Sequence, residues 1–158
     1  MMNKKNVRLK QDSKTSAKRK TGNKGSAKSP VLMGGMPRAL GVRIVSLSRG
    51  KVTAEMPVAE MHMNRNGRVN GGALMAFADL LGAAGTVANL PEGHRTTTLE
   101  SKTNFFAAGE GPVLKAVSVP LHIGRTTNVW QTTIKNQDGR LVAIVTQTQM
   151  VLVPKDAK

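Results

Sequence analysis

Residues 71–90 (GGALMAFADLLGAAGTVANL) constrain the fold more than any other stretch of the chain. The segment reads as one helix and is apolar on nearly every side. A helix without a polar face has no solvent face, so other elements must wrap it. The flanking sequence supplies strands for that purpose. Residues 42–48 (VRIVSLS) and 51–58 (KVTAEMPV) lie on either side of Arg49-Gly50. In the second, Val52, Ala54, Met56 and Val58 alternate with Lys51, Thr53 and Glu55, the period of a half-buried strand. Four further strands are expected at 95–107, 112–123, 126–136 and 140–153, all rich in Thr, Val and Ile. Gly109–Pro112 and Asn136–Gly139 mark turns, the latter a hairpin. Pro120 predicts an edge position or a bulge, because proline cannot donate to a ladder. Residues 31–41 (VLMGGMPRALG) fit a short helical turn. The order is two strands, one long helix, then four strands, with mostly hairpin connections. It predicts the α+β class, a curved antiparallel sheet wrapped around one long buried central helix.

At 158 residues the chain is long enough for one domain with a real core, expected over 31–158. The absence of cysteine excludes a disulfide framework and a thiolate metal site. No apolar run has the length of a membrane span, and the N-terminus lacks the apolar core of a secretory signal, so a cytoplasmic protein is expected. The net charge is +15, of which residues 1–30 carry +9. That stretch is Lys, Ser, Gly, Asn and Thr with almost nothing to bury, and it reads as a disordered basic tail. One reading is a solubilising or vestigial extension. The other is an electrostatic arm for nucleic acid or an anionic membrane, although no aromatic side chain interleaves the charges for base stacking.

The chemistry concentrates where the loop meets the helix, Asn64–Asp79 (NRNGRVNGGALMAFAD). Asn70 is a good N-cap. Gly71 and Gly72 leave the first helical N–H groups uncovered, and such a helix start suits an anion or a carbonyl oxygen that becomes anionic. The sequence alone allows a second reading, a glycine pair that only fits a tight approach to a strand. Asp79 is an ionisable residue in apolar surroundings, where a carboxylate is costly unless it is paired or does chemistry. It lies eight residues beyond Gly71, about 12 Å along a helix axis. The two cannot serve one carbonyl group within a subunit. They could across a homodimer whose helices pack antiparallel, each carboxylate facing the helix start of the other copy. A purely structural aspartate bonded to a loop or to a strand threonine is the alternative.

The pattern Asn64-x-x-Gly67-x-x-Asn70-Gly71-Gly72, followed by Asp79, resembles the hotdog-fold acyl-CoA thioesterases, in particular the phenylacetate-degradation branch. Thr96–Phe106 (TTTLESKTNFF), His122–Thr126 (HIGRT) and Asp138–Val145 (DGRLVAIV) resemble that family too, and the similarity spans about Met36 to Val153. The resemblance implies that Asp79 is the catalytic carboxylate, as base or nucleophile. It implies that the Gly71 amide polarises the thioester carbonyl and that Asn64 positions water or substrate. Asn70, Gly72 and Thr98 would then border the substrate, and Arg125, Arg65 and Arg68 would meet coenzyme A phosphates or remain solvated charges. Many relatives carry histidine where this chain has Asn70, which puts rate and substrate preference in question. The resemblance further implies a homodimer, paired into a dimer of dimers, with coenzyme A entering only as part of the substrate and no other cofactor.

The remaining chemistry-bearing residues point elsewhere less clearly. His62, His94 and His122 have no ligand spacing, so no metal site is expected, and His62 reads as a surface residue. Met56, Met61, Met63 and Met75 suit an adaptable acyl pocket or ordinary core filling. Trp130 reads as a packing residue. Besides a thioesterase acting on a small aromatic or a short- or medium-chain acyl-CoA, two readings stay open. One is a hotdog dehydratase, which relies on a catalytic histidine that this helix start lacks. The other is a non-catalytic acyl-CoA-binding module.

Overall fold

A computed structural model describes residues 34–155, so the basic tail of residues 1–30 lies outside the described residues. A short helix α1 (Gly35–Ala39) leads into strands β1 (Arg43–Ser48) and β2 (Lys51–Pro57). The long helix α2 (Gly71–Val87) follows, then β3 (Arg95–Phe105), β4 (Val113–Ile123), β5 (Thr127–Asn136) and β6 (Leu141–Leu152). The six strands form one antiparallel sheet in the order β1-β2-β4-β5-β6-β3. The sheet curves around α2, as the apolar helix requires.

Inward positions of the strands close on the helix. Val52, Ala54 and Met56 of β2, Leu114 and Ala116 of β4, Trp130 and Ile134 of β5 and Val145 of β6 are buried against Leu74, Phe77, Ala78 and Leu81 of α2. Met56 is thus a core residue rather than a pocket wall. The turn after β3 does not close a hairpin with β4, because β3 runs along the far edge and, among the described residues, pairs only with β6. Of the two places expected for Pro120, an edge or a bulge, it takes the second: β4 is central, and the proline sits beside a register shift between Pro120 and His122. A bulge accommodates the missing donor there.

The helix is not wrapped on all sides either. Gly72 and Met75 are exposed, and Ala76, Asp79, Leu80, Ala83 and Val87 are only half-buried. Their spacing of three to four residues makes one stripe along the helix, with Asp79 at its middle. A single copy of the sheet covers the opposite side. Among the described residues no helix is long and apolar enough to cross a membrane.

Candidate active site

The helix start forms as its residue types require. Asn70 has an extended backbone, and its side-chain oxygen accepts the Gly72 N–H at 2.7 Å. The Gly71 N–H has no partner among the described residues. The loop before it is held by its own asparagine: Asn64 Oδ1 accepts the N–H groups of Asn66 (2.9 Å) and Arg68 (3.2 Å). That oxygen therefore shapes the turn, in which Gly67 adopts a left-handed φ of 67° that favours glycine. Above the helix start lies Phe105, at the end of β3. A Cβ on Gly71 would stand 3.2 Å from its ring tip, so the glycine is what lets the aromatic ring approach.

His62 is not a surface residue. It is buried, its Nδ1 accepts the Ala59 N–H at 3.1 Å, and its Nε2 has no partner among the described residues. Its backbone oxygen takes the N–H of Asn70, tying the loop to the helix start. The reason is local: the single 3-10 turn Glu60–His62 folds the imidazole back onto the N–H of its N-cap residue, Ala59.

Asp79 sits two turns further along α2, half-buried, with its carboxylate directed at β3 and β6. Thr98 Oγ1 donates to Asp79 Oδ1 at 2.8 Å, and Gln147 Nε2 lies 3.2 Å from both Oδ1 and the Asp79 backbone oxygen. Thr98 is in turn held by Gln149 Nε2 at 2.8 Å, and Gln149 Oε1 accepts from Thr96 at 3.0 Å. A register shift between Thr98 and Glu100 turns Thr98 toward the helix. The two donors that reach the carboxylate, Thr98 and Gln147, meet the same oxygen. Oδ2 has no hydrogen-bond partner among the described residues.

Thus the structure joins Asp79 to Thr98 and Asn70 to Gly72, Asn64 bonds within its own turn, and among the described residues no hydrogen bond links the helix start to Asp79. The arginines separate as well. Arg68 is ion-paired with Glu110, and Arg65 is exposed in the loop. Arg125 lies at the opposite end of the helix, where it lines a cavity of about 420 Å³ with Asn89, Leu90, His94 and Thr126. Among the described residues no cluster of histidine, aspartate and glutamate could hold a metal ion.

Gln147 and Gln149 escaped the reading of the sequence. Their signal was present: the inward alternation of β6 runs Ala143, Val145, Gln147, Gln149, so two amides stand where apolar residues would serve a plain core.

A sheet of this order around one helix is the hotdog architecture, and the described geometry defines a hotdog-fold domain with a carboxylate at mid-helix. The pattern of the thioesterase superfamily matches residues 66–143. ComA2 of Bacillus subtilis, an inferred esterase, is 34% identical over 117 residues, covering 72% of this chain and 91% of its own length. A 1,4-dihydroxy-2-naphthoyl-CoA hydrolase of Listeria monocytogenes is 26% identical over 110 residues, with 70% and 89% covered. A hypothetical thioesterase of Streptococcus pneumoniae, solved with coenzyme A, superposes with a TM-score of 0.64 at 31% identity, covering 70% of this chain and 84% of that one. The chain belongs to the thioesterase superfamily, as a thioester hydrolase of the hotdog fold.

Proposed function

We propose that this protein hydrolyses acyl-CoA thioesters in a site shared by two copies of the chain, with Asp79 of one copy facing Gly71 of the other. The observation that carries this reading is the Asp79 carboxylate itself. One oxygen is anchored by two donors and the other has no partner among the described residues, within a helix stripe that its own sheet leaves uncovered. An antiparallel second copy of α2 against that stripe would bring the unpartnered oxygen to a bare helix start, closing a distance of about 12 Å that one chain cannot close. The outer edge of β3, unpaired among the described residues, supports the same pairing, since an unpaired strand edge is a template for another chain.

In this arrangement Asp79 Oδ2 takes a proton from water, and the water oxygen attacks the thioester carbon. The Gly71 N–H donates to the carbonyl oxygen and stabilises the charge that develops there. Collapse breaks the carbon–sulfur bond, and the leaving thiolate recovers the proton from the carboxyl group. Direct attack by the carboxylate is the alternative first step and uses the same oxygen. Phe105 beside Gly71 and the half-exposed Met63 favour a small aromatic or short- to medium-chain acyl group, and the Listeria relative is named for an aromatic acyl-CoA. Asn89, at the Arg125 cavity, is ten residues beyond Asp79, about 15 Å at the helical rise. A pantetheine arm can cover that span and bring a phosphate to the arginine.

The test is thiol release from an acyl-CoA panel, with Asp79→Asn expected to lose at least about a hundredfold in kcat while remaining folded. Complementation then tests the shared site. Asp79→Asn and Gly71→Pro chains, each inactive alone, are unfolded, mixed and refolded together. Half of the dimers are then mixed and each regains one intact site, so about a quarter of wild-type turnover should return. No recovery in verified mixed dimers would place both groups in one subunit and refute the shared site.

A further inference from the structure

We propose that Gln147 is the positioning residue of the Asp79 carboxylate and that Gly82 is the notch that admits it. The inference rests on the reading of Asp79 as the catalytic carboxylate. Gln147 is fully buried on β6, directly across from Trp130 on β5 and Ser101 on β3. Its amide nitrogen faces two acceptors, Asp79 Oδ1 and the Asp79 backbone oxygen, both at 3.2 Å. The opposite amide orientation would set a carbonyl against a carboxylate and a second carbonyl, so the nitrogen must face the helix. That choice leaves Gln147 Oε1, like the neighbouring Trp130 Nε1, without a hydrogen-bond partner among the described residues.

A core built for stability alone would carry an apolar side chain here, because a half-satisfied buried amide is worse than none. The amide instead grips the carboxylate from the dry side of the helix. Thr98, although held by Gln149, supplies its single donor from an exposed position where water competes for the carboxylate. With both donors on Oδ1, the carboxylate plane is fixed and Oδ2 is presented to the uncovered stripe. Gly82 makes this possible. One turn beyond Asp79, a Cβ at that position would stand 2.4 Å from Gln147 Nε2, inside the space the amide occupies.

Three variants are compared with wild type on the acyl-CoA it hydrolyses fastest. Gln147→Met keeps the packing and removes the donor. It should lower kcat about tenfold or more with KM held within about twofold, because the carboxylate loses its fixed orientation but not its substrate contacts. Gly82→Ala should lower both kcat and melting temperature. The double variant Gly82→Ala/Gln147→Ala relieves the clash, so its melting temperature should rise above that of Gly82→Ala while kcat stays low. Unchanged kcat in Gln147→Met, or kcat that recovers together with stability in the double variant, would overturn the positioning role. Asp79→Asn, assayed alongside, separates this from the reading beneath it. If that variant keeps full turnover the carboxylate is not catalytic, whereas loss there with no loss in Gln147→Met rejects Gln147 alone.

Discussion

Gly85 and Trp130 share one space: a Cβ at Gly85 would lie 2.5 Å from Trp130 Cη2, so the indole rests directly on the helix backbone. The neighbouring pair Gly82 and Gln147 repeats the relationship one turn earlier, and Trp130 and Gln147 are cross-strand partners. Two glycines in α2 thus form a groove that receives two large side chains from adjacent strands. Gly85→Ala should therefore overpack a fully buried site and cost about 1–3 kcal/mol. Urea unfolding followed by fluorescence of the single tryptophan measures it, and an unchanged midpoint would contradict the close fit.

Gly71→Pro removes one N–H but also adds a Cβ 3.2 Å from the Phe105 ring tip, so Gly71→Ala, which adds that Cβ and keeps the N–H, is the control measured beside it. Proline is tolerated at the first helical position, and the extended backbone of Asn70 (φ −62°, ψ 140°) suits a residue that precedes proline. The Asn70 cap on Gly72 is left in place. Removing one donor from a developing oxyanion should lower kcat by about 10²–10³. Circular dichroism should stay near wild type, and the melting temperature should match that of Gly71→Ala. Retained turnover in the folded variant would show that the carbonyl oxygen is held elsewhere.

Met75→Glu places a charge on the uncovered stripe of α2, one turn before Asp79, at a side chain that is exposed in a single copy. Burying that charge against a second apolar helix would be prohibitive. Sedimentation velocity should show the wild type as a dimer or a larger assembly and the variant as a folded monomer without turnover. A dimeric, active variant would move the interface off this face.

Arg125→Ala tests the cavity at the far end of the helix. If this arginine holds a phosphate of coenzyme A in ground and transition states alike, KM should rise about tenfold with kcat unchanged. The effect should vanish with an acyl-pantetheine substrate that carries no phosphate. Arg68→Ala, by contrast, breaks only an exposed pair with Glu110 and should change stability by less than about 1 kcal/mol.

The sequence by itself determined the element order, because the signals are local. Alternation in Lys51–Val58, the glycine turn at Asn136–Gly139 and the Asn70 cap each depend on residues within a few positions of one another, and the observed strands end within two residues of those expected. It also exposed Asp79, since a carboxylate among apolar neighbours is anomalous without any coordinates. Only the tertiary structure decided the rest. The placement of β3 beside β6 depends on which edge the chain reaches after the helix, which no short-range pattern encodes. For the same reason Gln147, 68 residues from Asp79, became visible as its partner only once β6 lay against α2. The uncovered stripe also belongs to this level: an apolar helix demands cover, but how much of it one sheet supplies is set by curvature and packing rather than by the helix sequence.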